Sequence, residues 1–270
     1  MKRRPILVSG LAVAFLTVAA WELTFSAQRA EVKPTPAAAS YPPGHHIGNS
    51  PVPADNPRVP EGPALFKKFT ERAKQGNIDL LFMGDSITEG WSSPRRGLPV
   101  WEKYYAKRNA YEMGIGGDRT EHLLYRILNG NVDGISPKVV VIMIGVNNSY
   151  FEEYSPGMIG DGMIAIVEAL RQKLPDSKIL FLSTLPCRDG GADGRRRSLI
   201  TAQASAMVEK MADNKSLFFM DIGSRFLNSE GGIDKELMYD GLHPAIKGYE
   251  IWAAAIEDKL AELLDEKKAQ

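Results

Sequence analysis

Ser86, in Gly84-Asp85-Ser86-Ile87-Thr88, follows directly on the apolar run from Ile78 to Met83. A serine hydroxyl is a weak nucleophile until an imidazole takes its proton, and that imidazole needs a carboxylate to fix its tautomer and steady its charge. The chain has 4 histidines. His45 and His46 sit in a proline-rich stretch, and His122 lies in a helical pattern where a surface or packing role is expected. His243, in Asp240-Gly241-Leu242-His243, has an acid beside it. Ser86, His243 and Asp240 therefore supply nucleophile, base and acid. An aspartate and a histidine three apart suit a loop or a helix start, because strand alternation would turn them to opposite faces. Pro244 fits a first helical position there.

These side chains need elements to carry them. The run Ile78 to Met83 reads as a buried strand, and Gly84 lets the chain turn so that Ser86 opens a helix. The serine N–H is then an unpaired donor at a helix N-terminus, suited to a developing oxyanion. Tyr111-Glu112-Met113-Gly114-Ile115-Gly116-Gly117-Asp118-Arg119 ends a second strand, and the run from Val139 to Ile144 ends in Gly145-Val146-Asn147-Asn148. Both put hydrogen-bond donors at strand C-termini. Helical periodicity marks residues 63–75, 98–107, 118–129, 157–173, 195–213 and 244–266, and strand-like runs mark 78–83, 109–114, 138–145, 178–185 and 217–222. Such alternation predicts a three-layer α/β/α sandwich on a parallel sheet of about five strands, with the site at the strand C-terminal ends.

With all these blocks in order, the chain resembles the SGNH hydrolases, the serine esterase superfamily also called GDSL-like. The resemblance makes Ser86 the nucleophile, Asp240 and His243 the acid and base, and Ser86, Gly117 and Asn147 the oxyanion hole. Gly116 and Gly117 are adjacent, and only the resemblance chooses between them. Gly114-Ile115-Gly116-Gly117-Asp118, then Thr120, His122 and Leu123, then Gly145-Val146-Asn147-Asn148, most resemble the catalytic subunits of platelet-activating-factor acetylhydrolase. That branch also uses an asparagine at the position of Asn148, where many relatives carry aspartate; Met113 stands near a frequent asparagine. The match covers about residues 64–265, implies a serine esterase that needs no cofactor, and makes a homodimer an expectation.

A glycine-rich turn between strand and helix is also how a dinucleotide fold cradles pyrophosphate, but that pattern requires glycine where Arg119 stands. No spacing of Cys, His or carboxylates suggests a metal site. The 270 residues, 44% of them hydrophobic, suffice for one sizeable domain and an appendage. With 33 basic and 33 acidic residues, nucleic acid and anionic membrane surfaces are poor partners. The single cysteine, Cys187, rules out an intrachain disulfide and reads as a packing residue at a strand end.

Lys2-Arg3-Arg4 before the apolar stretch Ile6 to Trp21 has the order of an export signal. Residues 1–27 are accordingly expected to be a signal peptide or, uncleaved, an N-terminal membrane anchor, making the protein periplasmic, secreted or membrane-anchored on the outer side. No cysteine follows the apolar run, so a lipoprotein anchor is not expected. Residues 28–63, rich in Pro and Ala, are expected to be an extended linker before the hydrolase domain of residues 64–270. The expected substrate is a small-molecule or glycan ester with a short acyl group, such as O-acetyl; a lysophospholipase or thioesterase for longer chains is the alternative. A non-catalytic binding protein on this fold would ordinarily lose one of the site residues, and all are present. Trp91 is a candidate pocket lining, whereas Trp101, Tyr104 and Tyr105 are expected to pack a helix. The stretch Arg188 to Arg197, with three consecutive arginines, is expected to be a solvated loop, or else to recognise an anionic substrate.

Overall fold

The computed structural model describes residues 44–53, 60–187 and 191–266. The expected leader of residues 1–27 lies outside them, as do 28–43 and 54–59 of the expected linker. Residues 44–53 are not an extended spacer: they make hydrogen bonds to the body of the domain. The first helix begins at Gly62, with Pro63 in its first turn.

Five strands form one parallel sheet: β1 (Leu80–Gly84), β2 (Ala110–Gly114), β3 (Val139–Met143), β4 (Lys178–Leu182) and β5 (Leu217–Met220). Their spatial order is β2-β1-β3-β4-β5. The chain builds outward from β1 in one direction, then crosses back to build in the other, so the crevice lies where β1 meets β3. Gly84 pairs with both Gly114 and Met143, so the loops that follow β1, β2 and β3 leave the sheet side by side.

Strand alternation sorts the apolar side chains into two cores. Leu81, Met83, Val140 and Ile142 face one way, against α1 (Gly62–Lys74), α4 (Thr120–Arg126), α5 (Pro156–Lys173) and α6 (Ala192–Glu209). Leu80, Phe82, Val139 and Val141 face the other, against α2 (Ser86–Glu89), α3 (Leu98–Tyr104) and α7 (Ile246–Leu263). The second core is strongly aromatic. Trp91 is fully buried, with ring centroids 4.5 Å from Tyr249, 5.1 Å from Trp252 and 5.3 Å from Tyr105. Trp91 therefore does not line a pocket: its apolar bulk is taken up by the contact between α7 and the sheet. Trp101 and Tyr105 pack with it, as expected for the later aromatics. Cys187 is buried in the same core.

The expected helix over 244–266 starts later, at Ile246 with Ala245 as its N-cap, so Pro244 stands outside the helix. An isolated bridge between Met238 and Pro244 closes the preceding loop instead. Arg195, Arg196 and Arg197 lie in the first turns of α6 rather than in a solvated loop, and Arg197 is buried with its guanidinium 4.2 Å above the Tyr150 ring. A buried arginine over an aromatic face gains both packing and cation–π attraction, which favours helix over loop.

Candidate active site

Two glycines permit the turn that presents Ser86. A Cβ on Gly84 would stand 2.3 Å from the Met143 carbonyl oxygen and from Thr88 Oγ1, and one on Gly114 would stand 2.1 Å from the Glu89 nitrogen. Larger residues would push α2 off the strand ends. Asp85 caps α2 by accepting from the Ile87 N–H at 2.9 Å, and Ser86 is the first helical residue. Its N–H has no intrahelical acceptor.

His243 reaches the serine from the loop before α7. Ser86 Oγ lies 2.9 Å from His243 Nε2, and His243 Nδ1 lies 2.7 Å from Asp240 Oδ2. The other Asp240 oxygen accepts from the backbone N–H groups of Leu242 at 2.9 Å and His243 at 2.7 Å. Burial pushes the Asp240 carboxyl up, but these N–H groups and the His243 ring outweigh it and hold it below the usual carboxylate range. Asp240 thus stays ionised beside the imidazole. The two halves of this arrangement are bolted together by α7: the Tyr249 hydroxyl donates to the Ile87 carbonyl at 2.6 Å. A Cβ on Gly90 would collide with that hydroxyl at 1.9 Å.

Residues Ile115–Asp118 form a tight turn closed by the Asp118 N–H on the Ile115 carbonyl at 3.2 Å. Gly117 holds φ +74°, which a turn of this kind asks of its third residue and glycine adopts without strain. The Gly116 N–H faces the Glu89 carboxylate, while the Gly117 N–H donates to none of the described residues. Asn147 Nδ2 donates to the Asp118 carbonyl at 2.9 Å and lies 3.3 Å from Asp85 Oδ2. Its neighbour Asn148 is fully buried and serves structure: its amide meets Thr120 Oγ1 and Glu121 Oε2, each at 3.1 Å. Met113, near the family's frequent asparagine, is a core residue.

Behind these loops lies a buried charged layer. Arg126, with side-chain exposure of 1%, donates to Asp118 Oδ2 at 2.7 Å, to the Met113 carbonyl at 3.1 Å and to the Gly84 carbonyl at 3.2 Å. It ties the ends of β1 and β2 to the Asn147 support. Burial pushes Asp118 up to about 6 despite Arg126, and pushes Asp85 up to about 7 despite the Ile87 N–H. Burial and the nearby Arg119 charge push His122 down to about 4, and its Nδ1 accepts from the Arg119 N–H at 3.2 Å. His122 therefore has the packing role expected of it. Arg126 was not singled out by sequence reasoning. The signal was available: on the helix pattern it falls in line with Leu123 and Ile127, where a lone arginine must find buried partners.

A cleft of about 600 Å³ opens beside Asp240, lined by residues that include Arg195, Glu230, Lys235, Tyr239 and Gly241. The Tyr239 ring, 55% exposed, stacks on His243 at 6.1 Å with 19° between planes.

Residues 82–251 match the model of the GDSL-like lipase/acylhydrolase family. The chain belongs to that family. Among its curated relatives, the platelet-activating factor acetylhydrolase IB subunit alpha2 of Rattus norvegicus is 30% identical over 200 residues, covering 74% of this chain and 83% of the relative. A GDSL-like lipase structure from Bacteroides thetaiotaomicron superposes with TM-score 0.57 at 19% identity, over 73% of this chain and 97% of the other. An acetylxylan esterase from Geobacillus stearothermophilus gives TM-score 0.52 at 18% identity, over 72% and 97%. At those identities the two structures bear on the fold alone. As a GDSL-like acylhydrolase, the protein is an ester hydrolase.

Proposed function

We propose that this acylhydrolase is a serine esterase that removes short acyl groups, O-acetyl above all, through a Ser86–His243–Asp240 triad. The observation that carries the proposal is the continuous path from Ser86 Oγ through the imidazole to Asp240, with contacts of 2.9 and 2.7 Å. His243 Nε2 takes the Ser86 proton as Oγ attacks the ester carbonyl. Asp240 holds the Nδ1–H and stabilises the imidazolium. The oxyanion is met by the N–H groups of Ser86 and Gly117 and by Asn147 Nδ2. Of the two Asn147 amide protons, the Asp118 carbonyl takes one at 2.9 Å; the other faces Asp85 at a long 3.3 Å and is the one that turns to the oxyanion. His243 next protonates the departing alcohol. It then draws a proton from water, which attacks the acyl-enzyme and releases the acid.

The short-acyl reading draws support from two directions. The curated acetylhydrolase relative acts on an acetyl ester by name. The cleft beside Asp240 carries charges of both signs and an open aromatic ring, which suits a polyhydroxyl alcohol such as a glycan better than a fatty chain. The test is turnover of p-nitrophenyl acetate, butyrate and octanoate by the wild type and by Ser86→Ala. Acetate is preferred and the variant is silent; a preference for octanoate, or for long-chain thioesters or lysolipids, moves the protein to the longer-chain class. The proposal includes export, from the basic-then-apolar order of residues 2–21, and recovery of the enzyme in the cytoplasmic fraction would remove that part. It includes a homodimer by likeness to the acetylhydrolase subunits, which sedimentation as a monomer would remove.

A further inference from the structure

Residues 44–53 fall in a stretch whose composition reads as spacer, yet they are seated between α4 and α5. The fit is tight on two sides. A Cβ on Gly48 would stand 2.3 Å from the Met158 carbonyl oxygen. A Cβ on Gly162 of α5 would stand 2.2 Å from the Gly48 carbonyl oxygen and 2.5 Å from Thr120 Oγ1. Two glycines therefore let this segment, α4 and α5 meet at backbone distance. The ends of the segment are fastened as well. His46 Nε2 lies 3.0 Å from Asp161 Oδ2, and the Val52 N–H donates to the Glu121 carbonyl at 3.3 Å.

Thr120 is the centre of the contact. Its hydroxyl has one proton, and the Gly48 carbonyl at 2.8 Å is a nearer acceptor than the Glu121 carboxylate at 3.3 Å. With that proton committed to Gly48, the oxygen accepts from Asn148 Nδ2 at 3.1 Å, while the Thr120 N–H donates to Asn148 Oδ1 at 3.1 Å. Asn148 directly follows Asn147. Thr120 stands two residues after Asp118, whose carbonyl holds the Asn147 amide.

We propose that residues 44–53 are a strap that positions Asn147 for oxyanion stabilisation, acting through Gly48, Thr120 and Asn148. The proposal rests on the reading of Asn147 as an oxyanion donor. Unseating the strap frees the Thr120 proton to turn to Glu121 and loosens the pairing that fixes Asn148. A donor moved by about 1 Å costs up to about a hundredfold in rate.

The test uses the full chain. Gly48→Ala drives a methyl into the Met158 carbonyl and lifts the strap; Thr120→Val deletes the hydroxyl at nearly constant shape; Thr120→Ser keeps it. Three quantities are read: kcat per site titrated with a fluorophosphonate, KM for p-nitrophenyl acetate, and the inhibition constant of a trifluoromethyl ketone whose hemiketal oxyanion occupies the hole. In Gly48→Ala and Thr120→Val, kcat per titrated site falls about tenfold, the ketone weakens in parallel and KM stays within about twofold, whereas Thr120→Ser behaves as wild type. Wild-type kcat per titrated site in Thr120→Val overturns the proposal, as does a loss confined to the number of titratable sites, which marks a folding role. Should Gly48→Ala fail to fold, Thr120→Val and Thr120→Ser carry the decision. An inert Asn147→Ala would instead remove the oxyanion reading itself; a crippled Asn147→Ala beside a normal Thr120→Val removes only the strap.

Discussion

Asn147→Ala separates transition-state stabilisation from everything else in this site. Among the described residues its side chain makes no hydrogen bond to Ser86 or His243; its partners are the Asp118 carbonyl at 2.9 Å and Asp85 at 3.3 Å. Truncation therefore leaves the 2.9 Å contact between nucleophile and base in place. It removes one of three oxyanion donors, a loss of about 3 kcal/mol of transition-state stabilisation. At about 1.4 kcal/mol per decade, kcat falls by about two orders of magnitude. Because the oxyanion exists only in the transition state, kcat/KM falls equally and KM does not move. The stability cost is small: one partly exposed hydrogen bond is worth about 1 kcal/mol, or about 2–4 °C in Tm for a domain of this size. The assay is steady-state hydrolysis of p-nitrophenyl acetate together with a thermal melt. A fall of less than threefold in kcat, or a change entirely in KM, would refute the assignment.

Replacing Asp240 by Ala lowers kcat by at least about a hundredfold yet leaves activity above that of Ser86→Ala, because the imidazole keeps its contact with Ser86 but loses its tautomer control; activity equal to wild type would point to another carboxylate. Tyr249→Phe strips the bond at 2.6 Å that ties α7 to the Ile87 carbonyl and lowers kcat by about threefold to tenfold with a destabilisation of about 1 kcal/mol, read by kinetics and denaturant unfolding. In Gly114→Ala the new methyl meets the Glu89 nitrogen at 2.1 Å, so Tm drops by about 3–10 °C. Burial pushes Glu112 up to about 7 despite the Gly114 N–H, so the folded protein holds a proton there that the unfolded chain releases above its ordinary value of 4.5. That contribution to stability is complete below about 4.5 and is lost as pH rises through about 7, at no more than about 1.4 kcal/mol per pH unit. Melting Glu112→Gln across pH 4 to 8 should show a flatter profile than wild type; an identical slope removes Glu112 as the cause.

The candidate site was legible because each of its residues lies at a strand end, and strand ends of a parallel sheet converge. Ser86, Gly117 and Asn147 follow β1, β2 and β3, whose last residues are in register, so reading the strands was enough to bring the loops together. Gly116 and Gly117 could not be told apart in the sequence, since the difference lies in which N–H is faced by Glu89, a side chain carried on a different element, α2. Trp91 misled for the opposite reason: its nearness in sequence to Ser86 says nothing of the inward turn that buries it against Tyr249 and Trp252. Composition hid the strap, because Pro, Gly and Asn mark a segment that lacks its own core without revealing that Gly48 fits a groove provided by Gly162. Buried Arg126 is a tertiary feature too, visible only once Gly84, Met113 and Asp118 are brought to one place.

The central claim is that Ser86 is a nucleophile made reactive by His243, and intact-mass analysis after exposure to a fluorophosphonate tests it most directly. The account predicts a single adduct on wild type, mapped to Ser86 by peptide sequencing, no adduct on Ser86→Ala, and labelling of His243→Ala slowed by at least about a hundredfold. Labelling at another residue, or equal labelling rates for wild type and His243→Ala, would contradict it.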